Sequence, residues 1–106
     1  MAKRNVVWTR TADLQFVGIL EFWAVRNHSN RYSKRLLKQV SKRIKLISNS
    51  PFLYRQTDFE GVRISVLKNY SILYKVEPER IIVIAFWDNR QDYARLLKMI
   101  KSARSL

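Results

Sequence analysis

The sequence has no cysteine, one histidine, two glycines and two prolines. Without cysteine there are no disulfides, no thiol nucleophiles and no thiolate metal sites, and a reducing, cytoplasmic location is expected. The lone His28 predicts no metal site, and two isolated glycines exclude a glycine-rich loop for phosphates. We therefore expect no metal and no other cofactor.

Long apolar runs and acidic residues are also scarce. No segment approaches the ~18 consecutive apolar residues of a membrane span, and no signal-peptide core is evident, so no membrane partner is expected. The eight Asp and Glu residues are scattered and predict no paired acid–base site for a small-molecule substrate. The 106 residues, 47% of them hydrophobic, predict one folded domain over residues 1–106.

Positive charge, by contrast, is abundant. Lys and Arg number 21 against 8 Asp and Glu, which gives a net charge of +13 and a field that attracts polyanions. No carboxylate occurs between Arg26 and Lys45. The helical spacing of four lysines in this segment predicts a basic face that binds RNA phosphates: Lys34, Lys38, Lys42 and Lys45. The expected partners are nucleic acid, a ribonucleoprotein or an acidic protein.

The first half of the chain predicts a short strand and two helices. The run Val6–Trp8 is typical of a strand, and apolar residues at spacings of three and four predict helices over about 12–26 and 31–48. The second helix should pack through Ser33, Leu37, Val40, Ile44 and Ile47. Pro51 ends it and opens a loop over residues 49–61.

The second half predicts strands and a last helix. Alternation over 62–67 and 70–76, separated by a two-residue turn, is typical of a hairpin, and the apolar run 81–87 predicts a strand covered on both faces. A short basic helix follows over 93–103. The expected fold class is α+β: a small antiparallel sheet with an N-terminal helical hairpin on one face and a short C-terminal helix.

Sheet sidedness predicts an open face. Opposite Val62, Ile64 and Val66, the alternation gives a face that mixes basic, small and apolar residues: Arg63, Ser65, Leu67, Ser71, Leu73 and Lys75. Leu67 and Leu73 are unexpected on a solvated face, and a C-terminal helix of about three turns is too short to screen three strands. We therefore predict that a partner segment with apolar anchors and negative charge docks on them.

Three motifs in this order carry a family resemblance. The patterns Gly61-Val62-Arg63-Ile64-Ser65-Val66 and Tyr70-Ser71-Ile72-Leu73-Tyr74-Lys75-Val76, with Asp88-Asn89-Arg90-Gln91-Asp92 after the last strand, resemble the RelE/ParE superfamily of bacterial toxins. The resemblance covers Val7 to about Leu97. It implies the toxin, or plasmid stabilisation protein, of a type II toxin–antitoxin module, neutralised by a cognate antitoxin. Sheet sidedness predicts that this antitoxin is acidic and docks on Leu67 and Leu73.

The superfamily contains two activities. RelE-like members cleave mRNA on the ribosome, whereas ParE-like members bind DNA gyrase and leave RNA intact. The resemblance implies charge stabilisation by Arg63 and Arg90, although the companion basic positions of the motif are Ser65 and Ser71 here. Arginine does not readily exchange a proton near neutrality, so Lys75, Lys68 or Tyr93 would have to transfer the proton. The charge favours ribosome-dependent mRNA cleavage by a metal-independent endoribonuclease. Gyrase inhibition and an inactive binding module remain the alternatives.

Overall fold

The computed structural model describes residues 3–104, with side chains over 3–102. Its elements are β1 (Asn5–Trp8), α1 (Arg10–Asn27), α2 (Arg31–Asn49), β2 (Arg55–Gln56), β3 (Val62–Leu67), β4 (Tyr70–Val76), β5 (Arg80–Asp88) and α3 (Tyr93–Arg104). The predicted order of strands and helices is confirmed, with one addition. The two-residue strand β2 lies inside the segment predicted to be a bare loop.

Local chemistry sets the limits of the helices. Thr9 caps α1, because its Oγ1 accepts a hydrogen bond from the Ala12 N–H at 3.1 Å. His28 ends α1 in the left-handed conformation, with φ of 51°, and its N–H bonds back into the last turn. The single histidine is thus a helix C-cap. Only residues 28–30 then separate α1 from α2, so the helices form a tight pair.

The sheet has five strands in the order β1-β5-β4-β3-β2. Strands β2 to β5 pair antiparallel, and β1 pairs with β5 in parallel. Beyond the end of β1, β5 has no strand partner on that side, and a side chain of α1 replaces one: the Gln15 side-chain oxygen accepts a hydrogen bond from the Phe86 N–H at 3.0 Å. The predicted α+β class with a mainly antiparallel sheet is confirmed.

Helices cover both faces of the sheet. On one face α1 and α2 enclose the larger core: Ala12, Phe16, Leu36, Val40, Ile47, Tyr70, Ile72, Tyr74, Ile81, Val83 and Phe86. On the other face α3 encloses a smaller core: Val62, Leu73, Ala85, Trp87, Leu96 and Ile100. The strand β5 contributes to both cores, as its uninterrupted apolar run predicts.

The predicted assignment of hairpin residues to the two faces is wrong. The two-residue turn pairs Leu67 with Tyr70 and Ile64 with Leu73, and directly paired residues share a face. Leu67 therefore lies on the side of α1 and α2, half-buried against the larger core, whereas Leu73 lies under α3. The two leucines are on opposite faces, so the predicted open face that joined them does not exist.

Two further packing predictions are corrected. The helix α3 does screen its face of the sheet, because its Leu96 and Ile100 pack in one core with the strand residues and Leu73 is only 1% exposed. On α2 the buried stripe runs through Leu36 in place of Leu37, which is exposed. One residue of helix rotates a side chain by about 100°, so neighbouring leucines cannot both face the core.

Candidate functional site

Arg63 does not offer a free guanidinium. Its side chain is half-buried on the α1/α2 side, where Nη1 donates to the carbonyl oxygens of Tyr54 at 2.7 Å and Phe52 at 3.3 Å. The guanidinium also lies 5.1 Å from the centre of the Phe52 ring. The prediction of an exposed Arg63 is therefore wrong. Its bonds tie the segment after α2 to the edge of the sheet.

Arg90, in contrast, is exposed. Its Nε and Nη2 donate to the two carboxylate oxygens of Asp88 at 2.9 and 2.7 Å. These hydrogen bonds lower the pKa of Asp88 and raise that of Arg90, so the pair stays ionised. The guanidinium also lies 5.8 Å from the centre of the Trp23 ring. Asp88 occupies Nε and Nη2, so only the Nη1 side of this guanidinium is left to receive a carboxylate or phosphate from a partner.

The four predicted catalytic residues are not brought together. Arg63 pairs with Tyr74, whereas Arg90 follows Asp88, which pairs with Tyr70. Tyr70 and Tyr74 are four residues apart on β4, so about 14 Å of strand separates the two ends of the sheet. The alternation of β4 puts Lys75 on the α3 side, and Tyr93 is exposed at the start of α3.

The two serines at the companion basic positions are buried. Ser65 accepts a hydrogen bond from Arg43 Nη1 at 2.8 Å, and the same nitrogen donates to the Val66 carbonyl at 2.8 Å. Ser71 donates to the Asn89 side-chain oxygen at 2.6 Å. Both hydroxyls therefore have structural partners. Lys68, the third proton-transfer alternative, is an exposed turn residue with φ of 57°.

A cleft lies between α1 and the chain that leaves β5. It has a volume of about 410 Å³, and Gly18, Phe22 and Trp23 of α1 face Asp88 and Arg90 across it. The Trp23 indole N–H donates to the Tyr70 hydroxyl at 2.8 Å, which fixes the ring as the cleft wall. The cleft combines apolar walls with the exposed Arg90–Asp88 ion pair, and apolar walls with a few polar groups are typical of binding clefts.

The surface beside this cleft is mostly apolar, with the exposed Glu21 among its side chains, and the sequence patterns did not predict it. Four apolar side chains on the outward side of α1 are exposed: Leu14, Val17, Phe22 and Val25. We call them the α1 outer stripe; Gly18 lies among them. The signal in the sequence was that apolar residues also recur on the side of α1 opposite its buried residues, and an apolar side of a helix is typically packed against something.

The basic face predicted on the second helix lies on α2. Six exposed cations share the side of α2 away from its buried residues: Arg31, Lys34, Arg35, Lys38, Lys42 and Lys45. We call them the α2 basic stripe. Within residues 3–102 the ion pairs are Arg80–Glu77 and Arg90–Asp88, so no carboxylate neutralises the stripe. Arg43 lies outside it, because it is held at Ser65.

Buried tyrosines make the protein sensitive to high pH. Burial raises the pKa of Tyr74 to about 12, against a lowering effect of Arg63, and its hydroxyl donates to the Pro51 carbonyl at 2.7 Å. The unfolded chain loses this proton near pH 10, so between pH 10 and 12 the folded state binds more protons and stability falls as pH rises. We expect a loss of about 2–3 kcal/mol across this window.

Urea denaturation at pH 8, 10 and 11.5 measures this effect. Tyr74→Phe should lower stability at pH 8 by about 1 kcal/mol, since the Pro51 carbonyl loses its donor, and should flatten the alkaline decline. Tyr93→Phe is the matched control, because Tyr93 is exposed and should leave the decline unchanged. An equally steep decline in Tyr74→Phe would assign the effect to other groups, among them Tyr70, whose pKa burial also raises.

Two classes of site are not found in the part of the chain that the structure describes. No three His, Cys, Asp or Glu residues cluster there in a way that could hold a metal ion. None of the described helices has the length and apolar character needed to cross a membrane.

Comparisons with known proteins agree with the fold. A family model described as the ParE toxin of the type II toxin–antitoxin system parDE matches residues 6–93. Among solved structures, one described as the chromosomal ParDE TA system from P. aeruginosa is similar, with a TM-score of 0.69 and 17% sequence identity. The match covers 79% of this chain and 94% of that one. A search of curated proteins gave no match.

Proposed function

The chain belongs to the ParE toxin family of type II toxin–antitoxin systems, and from this premise we propose that it stops bacterial growth by binding DNA gyrase. Of the two activities of the superfamily, mRNA cleavage and gyrase binding, the ParE-like members have the second. Gyrase works in the cytoplasm, so the proposal includes a cytoplasmic toxin. It replaces mRNA cleavage on the ribosome as the favoured activity.

The observation that carries this choice is the dispersal of the RNase candidates. Cleavage of RNA without a metal needs a base, an acid and a charge-stabilising group around one phosphate. Here Arg63 is bound to backbone carbonyls, Arg90 is at the other end of the sheet, and Lys75 lies on the opposite face from Arg63. Binding to a protein target requires no such cluster.

We further propose that the α1 outer stripe and the adjoining cleft receive the antitoxin. This surface offers exposed apolar side chains beside Arg90, on a protein of net charge +13. The matching partner is an acidic segment with apolar anchors that fills the cleft and pairs a carboxylate with Arg90. The chemistry of this partner is that predicted from the sequence, but its docking site moves from Leu67 and Leu73 to α1.

Parallel assays with the purified toxin test the proposed target. We expect the toxin to block supercoiling of relaxed plasmid by gyrase, and to leave mRNA intact in a translating extract followed by primer extension. Relaxation by topoisomerase I, run with the same plasmid, is the matched control and should be unaffected. Cleaved mRNA with normal supercoiling would show that the toxin acts on the ribosome and not on gyrase. No effect in either assay would indicate an inactive binding module.

A further inference from the structure

We propose that the α2 basic stripe binds the phosphate backbone of duplex DNA. The inference rests on the proposed function in that gyrase holds its substrate as duplex DNA, so a toxin bound to gyrase has this polyanion within reach. The ligand chemistry is a row of phosphate diesters at the spacing of a double helix. DNA binding itself needs no gyrase, so it can be measured on the toxin alone.

The spacing of the stripe fits a phosphate row. At 3.6 residues per turn its six cations fall within about 100° of the helix circumference, opposite Leu36, Val40 and Ile47. From Arg31 to Lys45 the helix rises by about 21 Å, which gives one cation for every ~4 Å. Duplex DNA carries one negative charge for every ~1.7 Å of its axis when both strands are counted, so a stripe of this length can neutralise several phosphates.

The stripe is unfavourable for the isolated helix. The first turn of α2 has no acidic residue, and Arg31 and Lys34 stand at the positive end of the helix dipole. Like charges also face each other four residues apart, as Lys34 and Lys38 do, and Lys38 and Lys42. Surfaces designed for solubility intersperse charges of both signs, whereas the cations of this face are mixed with no carboxylate. A bound polyanion would remove this repulsion, which favours a phosphate ligand over plain solvation.

The side chains around the stripe favour a duplex over single strands or a protein. Proteins that bind single strands stack bases on aromatic rings, but Tyr32, the aromatic residue of α2, packs inward on Trp23 at 5.3 Å. A protein partner needs apolar anchors, and the exposed Leu37 and Leu46 border the stripe but do not lie among its cations. A row of cations with no ring or apolar side chain among them is suited to phosphates that are already in regular array.

Fluorescence anisotropy of a short blunt DNA duplex, titrated with the purified toxin at 50–200 mM salt, tests the proposal. Each phosphate neutralised contributes about 0.9 to the slope of log K against log salt. A variant with Lys34, Lys38, Lys42 and Lys45 all replaced by Gln should lose up to ~3.6 of this slope and bind at least ~100-fold more weakly at 50 mM salt. The pair Lys38→Gln/Lys42→Gln should lose about half as much slope.

A charge-matched variant separates the stripe from the total charge. Replacing Lys3, Arg55, Arg95 and Lys98 by Gln removes the same four charges from exposed positions outside α2. This control should keep the wild-type slope to within about one unit. Equal losses in both variants, or no loss in the stripe variant and in the pair, would overturn the proposal. Melting temperatures of all variants verify folding.

Two further results distinguish this proposal from its rivals and from the proposed function. A duplex RNA of the same sequence is titrated in parallel; tighter binding to RNA than to DNA at equal salt would overturn the DNA assignment in favour of RNA. Stripe-dependent DNA binding by a toxin that leaves gyrase active would support the DNA site and refute the gyrase target. Gyrase inhibition that persists in a stripe variant unable to bind DNA would support gyrase as the target. It would also mean that the stripe serves DNA binding and is not needed to inhibit gyrase.

Discussion

An aspartate in place of Leu73 is expected to unfold the protein. Leu73 is 1% exposed between the sheet and α3, where Val62, Leu96 and Ile100 pack in the same core. The substitution removes about 2 kcal/mol of apolar burial. It also adds a carboxyl group, ionised or protonated, for which this apolar core has no hydrogen-bond partner. A total loss above about 4 kcal/mol is expected, which is comparable to the stability of many small proteins.

Circular dichroism melts measure this loss, and Val66→Asp is the matched control. Val66 lies on β3 with its side chain 52% exposed, so the same charge there should change stability by less than about 1 kcal/mol. Leu73→Ala gives an intermediate test, with an expected loss of about 2–4 kcal/mol. A Leu73→Asp protein that melts within a few degrees of the wild type would contradict the packing of α3 on the sheet.

The sequence alone predicts that Leu73 lies on an open face, where an aspartate would be tolerated. That prediction is wrong because it put residues of β3 and β4 on the same face that in fact lie on opposite faces. Alternation within β3 and within β4 was evident, and so was the turn at Lys68-Asn69. The error lay in which residues of the two strands share a face. A two-residue turn pairs the residues that flank it, here Leu67 and Tyr70, and puts them on the same side. Applied to the sequence, this rule places Leu73 with Ile64.

Other features were beyond sequence patterns. The parallel pairing of β1 with β5 joins segments more than 70 residues apart, and no local signal specifies it. The hydrogen bonds of Arg63 to Phe52 and Tyr54 depend on how the segment after α2 folds back on the sheet edge. From the sequence alone, an arginine on a strand of alternating polar and apolar residues is expected to be exposed, because the carbonyl groups that accept its hydrogen bonds are not evident. Its separation from Arg90, which weakens the RNase assignment, follows from that topology.

The largest expected effect on binding is that of Phe22→Asp on the proposed antitoxin site. Phe22 is 55% exposed and forms part of the cleft wall beside Trp23. A carboxylate there removes an aromatic anchor and repels an acidic partner, so affinity should fall by about 100-fold or more. Toxicity in cells that co-express the toxin with the antitoxin that neutralises it should return. Calorimetry with the purified pair measures the affinity directly.

A control for this substitution uses the earlier candidate position. Leu67→Asp changes a half-buried leucine of the hairpin, on the opposite face of the sheet from α3. It should cost stability and leave the affinity of the remaining folded protein within about threefold. Strong loss of neutralisation by folded Leu67→Asp, with none by Phe22→Asp, would favour the docking site predicted from the sequence over the α1 outer stripe.

Gly18→Ala separates binding from folding at the same site. Glycine inside a helix costs about 0.5–1 kcal/mol relative to alanine, and beyond the adjoining helix backbone no heavy atom lies within 4 Å of a Cβ placed at Gly18. The substitution should therefore stabilise the free toxin. The added methyl group should obstruct a partner that approaches the helix closely, so that the affinity for the antitoxin falls by about tenfold. Ser41→Ala, at an exposed position of α2, should stabilise without weakening binding. Gly18→Ala with unchanged affinity would mean that the antitoxin does not contact this part of α1, because the methyl group meets nothing else there.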